Sequence, residues 1–304
     1  MNNEPAPIVL FVYNRPAHTR ITVEALLGNE LASKSDLIVY SDAPKSEAHT
    51  ETVNEVREYI GQIEGFKSTT IIEREVNFGL SGSIVDGVTS VVNDNGRVIV
   101  LEDDLVVTPY FLDFMNSALE VYESDDKVMH VSGYMFPVDN VELPETLFLR
   151  TSSCWGWATW ARAWKYFEPD SEKLLNQIHQ RKLEYEFDIH GTMGYMDMLQ
   201  DQSSGVINSW AVRWYASVFL NNGLCLHPGQ SLLSNAGHDG TGIHCGSSNI
   251  YDVDVSSRGA IVSRQEIKES SAGLEAIKRF YRSLRPPFHV RIVNRIMRAV
   301  LGRK

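Results

Sequence analysis

Cysteine is scarce in this sequence, and long apolar runs are missing from it. The three cysteines, Cys154, Cys225 and Cys245, lie far apart and are odd in number, which argues against a disulfide framework and against a CxxC metal site. The apolar run at residues 7–13 is too short for a membrane span or a signal peptide, and no basic segment precedes it. We therefore expect a cytoplasmic protein.

Basic residues are also few outside the C-terminal segment. The 304 residues include 28 Lys and Arg against 39 Asp and Glu, which gives a net charge of −11. Nine of the basic residues and no acid lie in Lys278–Lys304, so the rest of the chain carries 19 basic residues against 39 acidic ones. An acidic body argues against a nucleic-acid-binding surface, and we expect no nucleic-acid partner.

Apolar runs alternate with helical patterns in the first third of the chain. The segments APIVLFVYNRP, DLIVYSDAP, STTIIEREV and RVIVLEDD predict four strands, with helices between them, two of which cover about residues 47–63 and 82–93. Continuous apolar strands that alternate with helices are typical of a parallel sheet covered on both faces. The sequence therefore predicts an α/β fold with a mostly parallel sheet.

Polar residues collect where these predicted strands end. They are Asn14, Arg15, Asp42, Asn77, Gly79, Glu102, Asp103 and Asp104. Ligands of open α/β sheets bind beyond the carboxyl ends of the strands, so these residues are the first candidates for a binding site. The segment NFGLSGSIVDG, which contains Asn77 and Gly79, could cradle a phosphate at a helix N-terminus or form a tight structural turn.

The acid triplet Glu102, Asp103 and Asp104 is the most informative part of this set. An apolar segment, Leu105–Val107, follows at once, so the acids interrupt a buried stretch rather than an open polar loop. Carboxylate oxygens are hard ligands that suit Mg²⁺ or Mn²⁺, and these ions favour a diphosphate partner. A solvated turn is the alternative interpretation.

The segment VIVLEDDLVVTPYFLDFM resembles the acidic motif of metal-dependent GT-A glycosyltransferases. It is especially similar to the motif of the N-acetylglucosaminyltransferase I-like family, in which an EDD triplet precedes a hydrophobic pair, a proline and an aromatic helix. The opening FVYNRP also resembles the first strand of that family. The resemblance covers residues 7–120 well and continues more loosely to about residue 246.

The resemblance implies a GT-A, Rossmann-like fold and a division of the chain. A single catalytic domain over residues 1–265 would consist of a nucleotide-sugar-binding half, about residues 5–120, and an irregular acceptor-side half, about residues 121–265. A basic amphipathic helical tail, residues 266–304, would follow.

The resemblance also implies roles for the acids. Asp104 would coordinate the Mn²⁺ or Mg²⁺ ion that bridges the two phosphates of a nucleotide sugar, and Asp103 would lie near the ribose. Glu102 would lie near the transferred sugar or support its loop. Arg15, next to Asn14, would approach the pyrophosphate or the base.

Further donor contacts are implied at the neighbouring strand ends and in a late loop. Asp42 would contact the nucleobase edge, with a simple turn residue as the alternative. Asn77 and Gly79 would shape the donor pocket. His244, in GHDGTGIHC, resembles a late histidine that supplies a second metal or phosphate contact, and the alternative is a loop histidine without a ligand.

The acceptor side departs from the family pattern. The inverting enzyme of the family has an Asp directly before a Trp as general base, but the matching segment INSW has Asn208 and Ser209, which are not bases. Three explanations stay open: the base is Asp201 or Asp239, the enzyme is retaining and needs no such base, or the alignment fails here.

The tryptophans have two interpretations. Trp155 and Trp157 flank Gly156, where a ring could stack on the apolar face of a sugar. Trp157, Trp160 and Trp164 also have the spacing of one buried helix face, which favours core packing. Trp210 and Trp214, four residues apart, are predicted to lie in the core.

The C-terminal segment has the pattern of an amphipathic helix on an anionic membrane, with Arg291, Arg295 and Arg298 on one side. A helix packed on the body or a disordered tail is the alternative. Together these features predict a bacterial glycosyltransferase at the inner face of the plasma membrane. It would move a hexosyl or N-acetylhexosaminyl group from a UDP-sugar to a glycan or lipid-linked acceptor of O-antigen or capsule. The alternatives are a nucleotidyltransferase that makes the sugar nucleotide and a non-catalytic module that binds it.

Overall fold

The computed structural model describes residues 4–138, 142–237 and 249–284. The strands are β1 (Ile8–Val12), β2 (Asp36–Ser41), β3 (Ser68–Glu73), β4 (Arg97–Glu102), β5 (Leu105–Val107), β6 (Val128–Ser132), β7 (Thr146–Leu149), β8 (Trp157–Trp160), β9 (Leu224–Pro228) and β10 (Leu233–Asn235). The helices are α1 (Pro16–Leu27), α2 (Thr50–Ile60), α3 (Gly79–Asn95), α4 (Phe111–Val121), α5 (Ala161–Trp164), α6 (Ser171–Gln180), α7 (Glu184–Phe187), α8 (Tyr195–Ser203), α9 (Trp210–Leu220) and α10 (Ser271–Ser283). The four strands and the two helices predicted from the first third of the chain are therefore present.

Eight strands form one mixed sheet in the order β3-β2-β1-β4-β8-β6-β9-β7. The strands β3, β2, β1 and β4 are parallel, β8 is antiparallel to both β4 and β6, and β9 is parallel to β6. Because β6 and β9 thus run in the direction of β1, six of the eight strands end at one edge, which we call the C-terminal edge. The predicted α/β fold with a mostly parallel sheet is confirmed.

The first strand shows why its sequence is apolar throughout. Ile8 and Leu10 lie in one apolar cluster, whereas Val9 and Phe11 lie in a second cluster on the other face of the sheet. Successive side chains of a strand point to opposite faces, so a strand covered on both faces needs apolar residues at every position. The same burial on both faces applies to β4, which carries the acids at its end.

The tryptophan-rich segment is a strand where the spacing predicted a helix face. β8 pairs antiparallel with β4, with Trp157 opposite Val100. Residues three apart on a strand face opposite sides, so Trp157 and Trp160 lie in different apolar clusters. The prediction of one helix face is therefore wrong for Trp157 and Trp160, whereas Trp164 lies in the short helix α5. All three are buried core residues, as predicted.

The predicted helix at NSWAVRWYASVFL is confirmed as α9. Ser209 caps it, because its hydroxyl accepts a hydrogen bond from the Val212 N–H at 3.3 Å. Trp210 and Trp214 are buried, as predicted for core residues. The helix runs away from the C-terminal edge, because it leads directly into the start of β9.

The segment assigned to a C-terminal tail begins with a helix that packs on the body. In α10, Ile277, Phe280 and Tyr281 are buried in the same apolar cluster as β7. Residues 285–304, where the membrane-binding pattern lies, are outside the described residues. None of the helices in the described ranges is long and apolar enough to cross a membrane. The predicted domain boundaries stay predictions.

Candidate functional site

The acid triplet lies in the tight connection between β4 and β5, at the C-terminal edge. Asp103 and Asp104 are only 5% and 9% exposed. Their backbone is held from two sides: Thr22 Oγ1 of α1 donates to the Asp103 carbonyl at 2.9 Å, and the Ala236 N–H donates to the Asp104 carbonyl at 2.8 Å. The carboxylates therefore occupy fixed positions rather than a solvated turn.

Arg15 is the cation that faces these acids. It follows β1, which pairs parallel with β4, and this pairing brings residues 15 and 103–104 together. Its Nη2 donates to Asp104 Oδ2 at 2.8 Å and also hydrogen-bonds to Asp103 Oδ1. Its Nη1 is buried and has no hydrogen-bond partner among the described residues. Because an unsatisfied buried N–H is unfavourable by about 1–3 kcal/mol, Nη1 is the donor best suited to an oxyanion of a ligand.

Three carboxylates against one guanidinium give the cluster a negative charge. Burial raises the pKa of Glu102 well above its ordinary value, and the nearby charges of Asp104 and Asp103 raise it further against the effect of Arg15. Burial also raises the pKa of Asp103 to about 6, although Arg15 lowers it. The charged forms of these carboxyl groups are thus unfavourable here. Carboxyl groups with raised pKa values are typical of functional sites.

The residues fit a divalent metal ion such as Mn²⁺ or Mg²⁺. Their carboxylate oxygens are hard ligands, and Mg²⁺ commonly binds to one or two carboxylates together with phosphate oxygens of a substrate. No group of three or more His, Cys, Asp or Glu side chains in metal-binding geometry occurs within the described ranges. The assignment of Asp104 as a metal ligand stays a prediction, and His244, the predicted second contact, lies outside these ranges.

A second short sheet covers the triplet. β10 pairs antiparallel with β5, with Asn235 opposite Leu105, and the chain continues through Ala236 to Gly237 above the acids. A Cβ atom at Gly237 would collide with the Asp104 carboxylate and would lie 3.1 Å from Arg15 Nη1. The close approach of the backbone therefore requires glycine at this position. In the sequence, Gly237 is only the first residue of the loop segment GHDGTGIHC. No local pattern reveals its contact with Asp104, which lies more than 130 positions away.

Asp42 forms a separate cluster at the start of α3. Its Oδ1 accepts from the N–H groups of Ala43 and Phe78 at 2.9 and 2.8 Å, and its Oδ2 accepts from the Gly79 N–H at 2.8 Å and from Asn77 Nδ2 at 3.1 Å. Four hydrogen bonds fill the lone pairs of a carboxylate. Asp42, Asn77 and Gly79 form a turn closed by these hydrogen bonds, and the Asp42 carboxylate lies at the start of α3, where a phosphate could have bound. The role of Asn77 and Gly79 in the donor pocket stays a prediction. The nucleobase contact of Asp42 stays a prediction, and it would have to compete with this cap.

The two tryptophans predicted to stack on a sugar have different environments. Trp157 is 0% exposed and stacks with both His130 and Trp210, with ring centroids 5.3 and 5.1 Å away. Because no part of its side chain is accessible to a ligand, the sugar-stacking prediction for Trp157 is wrong. Trp155 is half-buried and packs edge-on against Tyr134, with centroids 4.7 Å apart. Its role in sugar binding stays a prediction.

The remaining candidates are not brought to the triplet by any described contact. Asn14 is half-buried beside Arg15. Asp201 is exposed on α8, which packs against α6, α7 and α9, and no hydrogen bond or ion pair among the described residues joins it to the acids. Asp239 lies outside the described residues. The general base therefore stays a prediction.

Comparisons with known proteins find structural similarity but no match to a protein-family model or to a curated protein. The chain is similar in structure to the mannosyltransferase PcManGT from Pyrobaculum calidifontis in complex with GDP-Man and Mn²⁺, with 16% identity and a TM-score of 0.35 over 45% of this chain and 38% of that one. It is also similar to S. aureus TarS, with 14% identity and a TM-score of 0.32 over 46% of this chain and 24% of that one. The chain thus spans well under half the length of either protein.

Proposed function

We propose that this chain is a metal-dependent GT-A glycosyltransferase that moves a sugar from a nucleotide-sugar donor to a glycan or lipid-linked acceptor. The observation that carries the proposal is the acid triplet at the C-terminal edge, whose Asp103 and Asp104 are buried and hydrogen-bonded to Arg15. The Nη1 of Arg15 has no hydrogen-bond partner among the described residues. The carboxyl ends of strands are where α/β sheets bind nucleotides and their relatives. Both a diphosphate and a divalent cation suit this combination of fixed carboxylates and a guanidinium.

Each residue of the site has a distinct task under this proposal. Asp104, with Asp103 beside it, holds Mn²⁺ or Mg²⁺, which supplies charge stabilisation for the leaving diphosphate. Arg15 donates from Nη1 to a phosphate oxygen. Glu102 has the carboxyl group whose pKa is raised well above the ordinary value, so it retains a proton more readily and is assigned to a hydrogen bond with the sugar or its loop.

The proposal extends to the identity of the donor, the identity of the acceptor and the cellular location of the reaction. A UDP-sugar is the proposed donor, and a lipid-linked saccharide of surface polysaccharide at the inner face of a bacterial membrane is the proposed acceptor. Asp201 and Asp239 are the candidates for the base that deprotonates the acceptor hydroxyl. If neither acts, a retaining mechanism follows, because it needs no such base.

Donor hydrolysis tests this function directly. Purified protein is incubated with a panel of UDP-, GDP- and CMP-sugars, first after chelation of metals and then with added Mn²⁺ or Mg²⁺. We expect release of nucleotide from at least one donor that stops on chelation and returns when metal is added. Nucleotide-sugar binding without turnover would favour the non-catalytic module, and synthesis of a sugar nucleotide from a nucleoside triphosphate and a sugar 1-phosphate would favour the nucleotidyltransferase. No binding of any donor with any metal would refute the proposal.

The Gly237→Ala variant tests the cover over the acids. Its new methyl group would push against Asp104 and Arg15, so we expect the kcat/KM of donor hydrolysis to fall about 100-fold, as displacements near 1 Å do in active sites. The Gly259→Ala variant is the matched control, since its Cβ would make only ordinary contacts with Tyr110, at 3.5 Å. Equal activities of the two variants would show that the segment after β10 does not position the acids.

A further inference from the structure

Arg213 is a half-buried cation without an acidic partner in the described ranges. Its side chain donates to four neutral oxygens: Ser81 Oγ at 2.6 Å, the Ser209 carbonyl at 3.0 Å, the Pro169 carbonyl at 3.4 Å and Asn208 Oδ1 at 3.5 Å. Burial lowers the pKa of Arg213, and no neighbouring charge raises it. Partial removal of a guanidinium from water without a counterion is unfavourable, and an anion bound beside Arg213 would offset this effect.

Arg213 lines an open groove of about 620 Å³ between α3 and the segment before α9. Ser81 and Asn208 line the groove as well, together with the ring of Phe78, which is 42% exposed. The one carboxylate in the lining, Asp86, forms an ion pair with Arg74 and has no described contact with Arg213. The Arg213 end of the groove is therefore positively charged.

The groove opens at the same edge of the sheet as the acid triplet, and neither Arg15 nor the three acids line it. α3 and α9 both begin at the C-terminal edge, since α3 follows β3 and α9 leads back to the start of β9. The strand β2, whose end carries the Asp42 turn, is two positions from β4 in the sheet, a distance of roughly 10 Å. Asp42 accepts from only two N–H groups at the start of α3, those of Phe78 and Gly79. The next N–H groups, of Leu80 and Ser81, therefore add to the positive potential of the groove.

We propose that Arg213, Ser81 and Asn208 form a phosphate-binding subsite that is distinct from the diphosphate site at the acid triplet. The hydrogen bonds from Arg213 to Pro169 and Asn208 are long, at 3.4 and 3.5 Å, so Nη1 and Nη2 can donate to two phosphate oxygens in their place. The Ser81 hydroxyl, which accepts from Nη2, can donate to a third. The phosphate belongs either to a soluble sugar phosphate or to a lipid headgroup, and both share this chemistry. The subsite goes beyond the proposed sugar transfer and does not depend on it.

Titration with inorganic phosphate at constant ionic strength, without donor or metal, tests the subsite. We expect saturable binding to the wild type, loss of that binding in Arg213→Gln and partial retention in Arg213→Lys. The Asn208→Asp variant adds a negative charge at an exposed position with almost no change of shape, so the fold should stay intact while affinity falls about fivefold. The Asn54→Asp variant, exposed on α2, is the matched control and should bind as the wild type does.

Two further measurements separate the sources of the phosphate. Glucose 1-phosphate is used as a soluble competitor, and vesicles of phosphatidylcholine with or without phosphatidic acid are used in sedimentation. Sedimentation that needs both phosphatidic acid and Arg213 assigns the subsite to a lipid headgroup, whereas competition by glucose 1-phosphate alone assigns it to a soluble sugar phosphate. The inference is overturned if the wild type does not bind phosphate, or if Arg213→Gln and Asn208→Asp bind phosphate as tightly as the wild type does. Either result holds whatever the donor assay shows.

Discussion

The Asp104→Ala variant is expected to lose metal-dependent donor binding and to lower the kcat/KM of sugar transfer on the order of 10³-fold. Asp104 is one of the two carboxylates that contact Arg15, and it lies directly beneath the backbone of Gly237. Its removal deletes the proposed metal ligand and leaves Arg15 paired with Asp103 alone. Donor binding measured by calorimetry with and without Mn²⁺ checks the first effect, and steady-state hydrolysis checks the second.

The stability of the same variant separates a functional carboxylate from a structural one. Asp104 adds to the repulsion that raises the pKa of both Glu102 and Asp103, so its loss relieves this repulsion, and it also removes an ion pair with Arg15, which acts in the opposite direction. We therefore expect the free energy of unfolding to stay within about 1 kcal/mol of the wild-type value or to rise. Asp113→Ala, at an exposed position of α4, is the control for general effects of removing an acid. Full metal-dependent activity in Asp104→Ala would show that the metal is held by other residues.

The Trp157→Ala variant is expected to lower the free energy of unfolding by about 3–5 kcal/mol. Trp157 is fully buried in β8, where it stacks with His130 and Trp210 and packs near Trp164 and Trp214. Its truncation leaves a cavity among large rings that cannot easily close. Denaturant unfolding followed by tryptophan fluorescence and by circular dichroism measures this loss.

The Trp155→Ala variant is compared with Trp157→Ala. Trp155 is half-buried, so its truncation removes fewer contacts and should lower stability by less than the change at Trp157. If Trp155 stacks on a sugar as predicted, the variant should raise the KM for donor or acceptor while the protein stays folded. If the Trp157→Ala protein were stable and had a raised KM for donor or acceptor, then Trp157 rather than Trp155 would be the ring that contacts the sugar.

The strands and the triplet were predictable because their signals are local. Continuous apolar runs at residues 8–12 and 98–101 require burial on both faces, and this burial indicates a sheet between helices. Parallel strands end at the same edge, so the polar residues after each run had to collect there. The meeting of Arg15 with the acids follows from this rule and from the pairing of β1 with β4.

Several parts of the site could not be predicted because their causes are not local. Trp157 and Trp160 have a spacing that fits one helix face, and only the pairing of β8 with β4 shows that they belong to a strand. Asp42 follows a strand, as a ligand-binding acid would, but the turn at residues 77–79 fills its lone pairs from 35 residues away. Arg213 has no motif around it, and its lack of an acidic partner among the described residues depends on which side chains α3 and α9 bring near it.

Local sequence patterns establish the α/β class, the order of the first four strands along the chain and the polar residues at their ends. These properties follow from hydrophobic periodicity and from the rule that parallel strands share an edge, which act over short stretches of chain. Which polar residues meet each other, and which are already hydrogen-bonded, depends on the folded structure. It paired Arg15 with Asp103 and Asp104, closed Asp42 onto α3 and placed Gly237 over the acids. Contacts between residues far apart in the chain depend on the packing of whole elements, which no local pattern encodes.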